Sequence, residues 1–262
     1  MAVVDCVVKD RVAEVRLNRP DSRNALNSEL LSQLPGVVTE ADANPDVDVI
    51  ILTGQDPAFC AGLDLKELGT TGANLGGGHG DVIEAQGTWR GPFPNTLKPL
   101  IGAINGPAVT GGLELALACD FLIASEKAKF ADTHARVGLH PGWGMTVLLP
   151  QAIGIRRARE MSATGLMIDA ATALAWGLVN HVVPHEDLLP YCHSLAAQIS
   201  GVQASALHQI YRSYDEAIDS VEAEGWEIER AKFAAQLRGA GFSPDDVAER
   251  REAIIKRGSA QI

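Results

Sequence analysis

The stretch "PLIGAINGPAVTGGLELALACDFLIAS", from Pro99 to Ser125, contains three consecutive signals of secondary structure. Its two ends, "PLIGAIN" and "FLIAS", are short apolar runs that are typical of buried strands. Between them, "GGLELALACD" has the composition of a helix and follows Thr110, a residue type that can cap a helix. A strand, a helix and a further strand in this order indicate the α/β class.

The same alternation is present upstream of this stretch. Two apolar runs, Val3–Val8 and Val12–Asn18, are separated by three polar residues and predict a β-hairpin. Ser28 precedes a segment with helical apolar spacing, and "VDVIILTG", from Val47 to Gly54, predicts another buried strand. We therefore expect a repeated αβ architecture in which most strands are buried.

Two later segments depart from this pattern. Glycine, threonine and asparagine replace the apolar period from Gly69 to about Gly91, which predicts a surface excursion, either beside a ligand site or as an insertion. Beyond about Pro190 the strand signals end, and the apolar spacing becomes helical with charged outer faces. We therefore expect a core at residues 1–190 and a C-terminal helical region at residues 191–262.

Composition limits the partners of the chain. Its 262 residues include 22 basic and 33 acidic side chains, a formal charge of −11, which argues against nucleic acid or an anionic membrane as the main partner. The four cysteines are widely spaced and predict no disulfide or zinc framework, as suits a reducing cytoplasm. His181 and His185 have a spacing that metal ligands use, but Pro184 breaks the helix that would align them. The N-terminus has no basic leader and the sequence has no long apolar run, so we expect a soluble cytoplasmic protein.

The start of the helix after Thr110 is the first candidate site. Gly111 and Gly112 open its first turn and leave backbone N–H groups that can point at an anion. Glu114 is the only charged residue between Val109 and Cys119. A capping box would need Glu or Gln at the position of Leu113, so Glu114 does not fit that structural role. We therefore expect Glu114 to be catalytic.

The second candidate element is "DPAFCAGLDLKEL", from Asp56 to Leu68. Ala61 and Gly62 permit close approach of the backbone, and one N–H from here and one from the Thr110 segment could stabilise an enolate oxygen. Taken alone, however, the segment reads only as a strand-to-helix turn. His134 lies in a third loop, "KFADTHARVGLHPGWGM", where a lone histidine is more often structural than catalytic.

Four segments together resemble the enoyl-CoA hydratase/isomerase superfamily, the crotonases. They occur in the family's order and are "RPDSRNALN" (19–27), "AFCAGLDLKEL" (58–68), "INGPAVTGGLELALACD" (104–120) and "GLHPGWGM" (138–145). The resemblance implies a spiral of repeated ββα units with a C-terminal helical region for trimerisation. It also implies an acyl-CoA thioester as the ligand and a homotrimer or a dimer of trimers. Coenzyme A is then part of the substrate, and neither a separate cofactor nor a metal is expected.

The resemblance also assigns residues. It implies that the N–H groups of Leu63 and Gly111 form an oxyanion hole around the thioester oxygen. Gly142 matches a family glycine whose helix start faces the thioester, and Trp143 either shapes the acyl pocket or packs in the core. Arg257 matches a position that pairs with a coenzyme A phosphate, while Ile254 stands where the family often has an aromatic residue. The positions along coenzyme A are Arg23, Ala25, Ala61, Asp64 and Leu65.

The hydratases of the family use two glutamates, and this chain departs from that pattern. The first glutamate falls on Glu114 and the second falls on His134, which could transfer a proton or only orient its neighbours, with Asp132 orienting it in turn. We expect a 2-enoyl-CoA hydratase with Glu114 as the acid/base. The alternatives are an isomerase, a decarboxylase or a thioester hydrolase, and, in another class, a non-catalytic acyl-CoA-binding protein, which would have no need of Glu114.

Overall fold

The computed structural model describes residues 2–76, 91–238 and 244–261. Most of the predicted surface excursion, residues 77–90, lies outside the described residues. The strands form one six-stranded and one three-stranded sheet. The strands are β1 (Val4–Lys9), β2 (Val12–Leu17), β3 (Val49–Gly54), β4 (Leu100–Ile104), β5 (Pro107–Val109), β6 (Phe121–Ser125), β7 (Lys129–Ala131), β8 (Ile168–Asp169) and β9 (His181–Val183).

The six-stranded sheet has the order β1-β2-β3-β4-β6-β9. Its first two strands form the predicted antiparallel hairpin, and every later neighbour pairs in parallel. The three-stranded sheet has the order β5-β7-β8, with β5 and β7 parallel and β7 and β8 antiparallel. The α/β class and the buried strands predicted from the sequence are confirmed.

Helices alternate with these strands and then continue alone. They are α1 (Ser28–Ala43), α2 (Leu65–Leu68), α3 (Ala73–Gly76), α4 (Gly111–Leu117), α5 (His134–Val137), α6 (Met145–Ile153), α7 (Ile155–Thr164), α8 (Ala170–Trp176), α9 (Leu188–Ser200), α10 (Ala204–Arg238) and α11 (Pro244–Ser259). α1 is capped by Asn27, whose Oδ1 accepts a hydrogen bond from the Leu30 N–H at 3.0 Å.

Both faces of the large sheet are buried at its centre, which explains why β3 and β4 are almost continuously apolar. Along β3, Ile50 and Leu52 belong to the main hydrophobic core, while Val49 and Ile51 pack on the opposite face. The opposite face is covered by α9, which contributes the buried Cys192. The predicted boundary at residue 190 therefore falls within a helix that packs on the sheet.

One residue at the described start of the glycine-rich segment packs against the core, although its neighbours Thr71 and Ala73 are exposed. Asn74, in α3, is fully buried. Its Nδ2 donates hydrogen bonds to the carbonyl oxygens of Leu26 and Asp64, each at 3.1 Å. Asn74 therefore links the segment that contains Leu26 to the turn that contains Leu63 and Asp64.

The C-terminal third is helical, as predicted. α11 returns to the core, where Val247 packs in a cluster with Leu68 and Val137. Ile254 packs against the same cluster, so the residue in place of the family's aromatic has an apolar structural role. None of the helices in the described ranges is long and apolar enough to cross a membrane.

Candidate active site

The parallel pairing of β5 with β7 brings the two candidate catalytic segments together. Val109 lies opposite Ala131 in this pairing, so the residues that follow the two strands emerge side by side. The N–H of Thr110 donates to the carbonyl of Ala131 at 2.9 Å, and this bond extends the pairing by one position. Glu114 and His134 follow within a few residues, which places them on the same side of the site.

The hydroxyl of Thr110 does not cap α4, contrary to the interpretation of the sequence. Thr110 has a φ of 55°, a left-handed conformation that is uncommon for a residue with a Cβ. Its Oγ1 lies 2.5 Å from Oγ1 of Thr133, so the hydroxyl is directed across to the β7 side of the site. The first N–H groups of α4 therefore have no side-chain cap from Thr110.

The two predicted halves of the oxyanion hole converge. A Cβ added at Gly62 would lie 2.7 Å from the carbonyl oxygen of Val109 and 3.6 Å from the nitrogen of Gly111. Gly62 also has a φ of 87°, so only glycine combines this backbone conformation with this approach. The N–H groups of Leu63 and Gly111 donate no hydrogen bond within the described part of the chain. Both can therefore bind an oxygen of a ligand.

Glu114 is buried beside this pair of N–H groups. It lies three residues after Gly111 in α4, so both face the same side of the helix. Its Oε1 accepts a hydrogen bond from the N–H of Trp143 at 2.9 Å. The ring of Trp143 packs against Gly111, because a Cβ added there would lie 3.7 Å from Cζ3 of the indole. Trp143 is thus both a core residue and a wall of the site.

His134 lies between two carboxylates. Its Nε2 is 3.4 Å from Oε2 of Glu114, and its Nδ1 is 2.8 Å from Oδ1 of Asp132. Asp132 also accepts the backbone N–H of His134 at 3.1 Å and the hydroxyl of Ser162 at 2.5 Å. With Nδ1 donating to Asp132 and Nε2 directed at Glu114, the imidazole connects the two acids.

The charge state of His134 follows from these neighbours. Burial alone lowers the pKa of His134, but the charge of Glu114 and the hydrogen bonds to Asp132 and Glu114 outweigh it and raise the pKa to about 10. Burial raises the pKa of Asp132, but its bonds to His134 and Ser162 have the larger combined effect and lower it. Both carboxylates therefore stabilise the imidazolium form of His134.

The predicted coenzyme A segments also lie against one another. The N–H of Ala61 donates to the carbonyl of Arg23 at 3.0 Å, and the N–H of Leu26 donates to the carbonyl of Gly62 at 2.8 Å. Ala25 is buried and Arg23 is exposed, which leaves the guanidinium of Arg23 accessible. Asp64 caps α2, just before Leu65, by accepting the N–H groups of Lys66 and Glu67. These residues form one continuous edge beside Leu63.

Arg19 organises this edge and was missed in the sequence. Its Nη2 lies 3.0 Å from Oδ2 of Asp64, and its Nη1 donates to the carbonyl of Ala25. The sequence feature that could have identified Arg19 is its place at the start of the "RPDSRNALN" motif. The family resemblance assigns the contact with coenzyme A to Arg23 in the same motif. Arg257, by contrast, is exposed on α11, and its charge lowers the pKa of Arg136 in addition to the larger effect of partial burial. Its role at a phosphate stays a prediction.

Gly142 and Trp143 form the loop before α6, and this loop is held from the C-terminal region. The N–H groups of Gly144 and Thr146 donate to the carboxylate of Glu229, in α10, at 2.5 and 2.6 Å. No motif in the sequence marked Glu229, because α10 contains several other glutamates. The sequence feature that could have identified Glu229 is its position three residues after Trp226, which places both on the side of α10 that faces the core.

The site thus defines an α/β protein in which two free backbone N–H groups adjoin a buried glutamate–histidine–aspartate array. The model of the Enoyl-CoA hydratase/isomerase family matches residues 8–253. A probable enoyl-CoA hydratase of Mycobacterium bovis, echA8, is 37% identical over 251 residues, which cover 96% of this chain and 94% of that protein. A crotonyl-CoA hydratase of Syntrophomonas wolfei is 33% identical over 261 residues, covering 96% and 94%.

Solved structures give the same result. The crystal structure of an enoyl-CoA hydratase from Mycobacterium tuberculosis H37Rv has a TM-score of 0.80 and 46% identity, covering 91% of this chain and 99% of that one. A carnitinyl-CoA dehydratase from Mycobacterium avium 104 has a TM-score of 0.80 and 29% identity, covering 92% and 94%. The chain belongs to the enoyl-CoA hydratase/isomerase family, and the crotonase-type fold is confirmed.

Proposed function

We propose that the protein is a 2-enoyl-CoA hydratase that adds water to a trans-2-enoyl-CoA thioester. The observation that carries this proposal is the Glu114–His134 pair, with 3.4 Å between Oε2 and Nε2, beside the two free N–H groups of Leu63 and Gly111. Relatives named enoyl-CoA hydratase and crotonyl-CoA hydratase match almost the whole chain and support the same reaction.

The two N–H groups act on the thioester. The carbonyl oxygen accepts hydrogen bonds from Leu63 and Gly111, and these strengthen as negative charge develops on that oxygen. The N-terminus of α4 adds a favourable field there, because its first N–H groups are directed outward. This stabilises the enolate, which is the intermediate of the addition.

Glu114 acts on water. The water oxygen bonds to C3 of the enoyl chain as its proton passes to the Glu114 carboxylate, and the electron pair of the double bond moves to the thioester oxygen. The proton then passes from Glu114 to C2, and the enolate returns to the thioester. One carboxylate can therefore complete a syn addition, while the N–H of Trp143 orients it through Oε1.

His134 contacts the carboxylate of Glu114 and orients it. Because Glu114 and Asp132 together hold the imidazole in its protonated form, His134 presents a positive charge to Oε2 of Glu114. That charge attracts the Glu114 carboxylate and holds it in place for its contact with water. Asp132 and Ser162 fix the ring from the other side. His134 is thus an orienting and charge-stabilising residue in this mechanism.

The decisive experiment measures hydration with and without Glu114. The parent enzyme is expected to consume crotonyl-CoA, detected as loss of the absorbance of the conjugated enoyl thioester. Glu114→Gln keeps the shape of the side chain but cannot accept the proton, so kcat should fall by about 10² or more. Glu126→Gln, at an exposed position, is the matched control and should leave the rate unchanged.

The outcome separates the rival functions. A panel of 2-enoyl, 3-enoyl, malonyl-type and saturated acyl-CoA thioesters identifies hydration, isomerisation, decarboxylation and hydrolysis by their different products. If the parent protein hydrates no 2-enoyl-CoA of any chain length, the hydratase proposal is wrong. Binding without turnover of any member of the panel would leave the non-catalytic acyl-CoA-binding protein.

We also propose the finer properties that the family resemblance implies. A homotrimer or a dimer of trimers is supported by the exposed apolar side chains along α10, among them Tyr214 and Val221. A cytoplasmic location is supported by the four cysteines, all free thiols and three of them buried. Cell fractionation tests the location, and light scattering tests the assembly.

A further inference from the structure

α10 lies along the loop that carries Trp143. Its Gln236 binds the loop at one end, because its Oε1 accepts the N–H of His140 at 2.6 Å and its Nε2 donates to the carbonyl of Gly138 at 2.8 Å. Trp226 packs on Gly144, where an added Cβ would lie 2.3 Å from Cη2 of the indole. A helix that the sequence assigns to the oligomerisation region therefore contacts the active-site loop.

Glu229 makes the central contact of this helix with the loop. Its side chain is buried, with 1% of the residue exposed. Oε1 accepts the N–H of Gly144 at 2.5 Å, and Oε2 accepts the N–H of Thr146 at 2.6 Å and also the Thr146 hydroxyl. The carboxylate therefore caps the start of α6, where the first N–H groups have no partner within the helix.

The N–H group that Glu229 binds at Gly144 is next along the chain to the N–H group of Trp143, which orients Glu114. Trp143 donates its N–H to Glu114, and the next N–H along the chain, that of Gly144, goes to Glu229. Gly144 has a φ of 98°, so the backbone turns sharply between the two bonds. Two carboxylates thus hold consecutive N–H groups of one turn, and a shift at either N–H moves the other.

Placing the Glu229 carboxylate near Glu114 has an electrostatic cost that a neutral helix cap would avoid. Burial raises the pKa of Glu229, and the charge of the nearby Glu114 raises it further, while the bonds to Thr146 and Gly144 lower it. A neutral side chain such as serine or asparagine caps a helix without placing a second acid near Glu114. The two oxygens of Glu229 divide the contacts between them, with Oε1 accepting the N–H of Gly144 and Oε2 that of Thr146.

We propose that Glu229 is a positioning residue of the active site, which fixes the turn at Trp143–Gly144 so that the Trp143 N–H holds Glu114 toward the substrate. This inference rests on the proposed hydratase function for its kinetic consequence. Glu229 does not touch the reacting atoms, and its effect on the reaction passes through the loop to Glu114.

The first test is kinetic. Glu229→Gln retains one oxygen acceptor in the same shape, and it should lower kcat for crotonyl-CoA by about 10-fold while KM changes by less than about 3-fold. Thr146→Val removes only the hydroxyl donor, at an exposed position, and should lower kcat by a smaller factor. This second variant tests the same contact if Glu229→Gln folds poorly. Glu227→Gln, exposed on the same helix, is the matched control and should not change kcat.

The second test is a double-mutant cycle with Glu114→Gln. If Glu229 acts through Glu114, the loss caused by Glu229→Gln should shrink to about 2-fold or less once Glu114 is already replaced. Equal losses in both backgrounds would overturn the proposal, because a residue that only stabilises the fold affects both backgrounds alike. A rise in KM with unchanged kcat would overturn it as well.

A third measurement does not depend on turnover. Hydrogen exchange of the amides at residues 143–146 should accelerate in Glu229→Gln but not in Glu227→Gln, because the bonds from Gly144 and Thr146 are weakened. Unchanged exchange at these amides would contradict the positioning role. If the parent shows no hydration but exchange responds as expected, the hydratase function fails while the contact from Glu229 stands.

Discussion

At the scale of single residues, His134 has the most unusual surroundings in the site. It is buried with a carboxylate on each side, at 3.4 Å from Glu114 and 2.8 Å from Asp132. A neutral histidine in this position would leave two acids unbalanced in a low-dielectric site. The pair of acids therefore explains both the position and the charge of the imidazole.

Substitutions at position 134 separate charge from hydrogen bonding. His134→Gln can still donate to Glu114 but has no charge, and we expect kcat to fall by about 10-fold. His134→Ala removes both properties and should cost about 10² in kcat. Steady-state hydration of crotonyl-CoA measures both variants. Equal losses in the two would mean that the charge, and not the hydrogen bond, carries the role, whereas unchanged rates would remove His134 from the mechanism.

The pKa of His134 also predicts how stability depends on pH. In the unfolded chain the pKa of His134 has its ordinary value of about 6.5, and in the folded chain its neighbours raise the pKa to about 10. Its stabilising contribution is therefore complete below about pH 6.5 and is lost as the pH rises toward about 10. Urea unfolding at pH 7, 8 and 9 should show a steeper loss in the parent than in His134→Gln. Parallel curves for the two proteins would contradict the raised pKa.

Single residues also show what the sequence could predict. Glu114 was predicted because an isolated acid stands at a helix start, which is a local signal, whereas Leu63 and Gly111 were assigned through the family resemblance. Asn74 and Ser162 were not predicted, because they act through tertiary hydrogen bonds. Asn74 donates to the carbonyls of Leu26 and Asp64, and Ser162 donates to the carboxylate of Asp132. A polar residue in a loop or helix has no sequence feature that reveals such a distant partner.

At the scale of elements, the site depends on how closely the turn before α2 approaches the start of α4. The carbonyl of Cys60 would lie 2.1 Å from a Cβ at Gly112, and the carbonyl of Val109 would lie 2.7 Å from a Cβ at Gly62. Both neighbours are backbone atoms and not the ends of flexible side chains, so neither can move without shifting the chain around it. The two segments have no space for any side chain at these positions.

This contact gives a prediction with an internal control. Gly112→Ala should force α4 away from Cys60. We therefore expect a lower melting temperature and a kcat for hydration that falls by about 10-fold or more. Gly36→Ala, inside α1 and with nothing near the added methyl, should instead stabilise the protein by about 0.5–1 kcal/mol. Thermal unfolding and crotonyl-CoA turnover measure both variants. A Gly112→Ala enzyme with parental activity would contradict the close approach of the two elements.

The sequence predicted β1 to β4, β6, α1, α4 and the C-terminal helices, because the periods of these elements are local. It could not show the three-stranded sheet, in which β5 and β8 are only two or three residues long and pair through β7. It also assigned α10 to assembly alone. The contacts of Trp226, Glu229 and Gln236 with the loop before α6 are tertiary, and the charged surface of α10 dominates its pattern.

At the scale of the whole molecule, α10 leaves apolar side chains uncovered in the single chain. Val221 is 81% exposed and Tyr214 is 63% exposed, and Ile210, Ile218 and Ile228 are also exposed on this helix. Such a row of apolar residues on one long helix is typical of a surface that another subunit covers. The proposed trimer or dimer of trimers would bury it.

Light scattering tests this prediction. The parent protein at micromolar concentration should have the mass of three or six chains. Val221→Lys places a charge in the exposed apolar row and should shift the population toward smaller species, because a lysine buried in an interface lacks a partner. Glu216→Lys, at an exposed acidic position on the same helix, is the control for the added charge. A monomeric parent would refute the prediction.

The pairing of β5 with β7 has a consequence for the evolution of this family member. Backbone hydrogen bonds set the place of residue 134 opposite Glu114, so that place does not depend on which side chain stands there. A substitution at position 134 can therefore change the side chain that faces Glu114 while the backbone pairing of β5 with β7 stays the same. The contact with Asp132 limits the route, since a glutamate at 134 would meet that carboxylate directly. We therefore expect a glutamate at position 134 to be tolerated better when the carboxylate at position 132 is also replaced, so the order in which two such substitutions arise would matter.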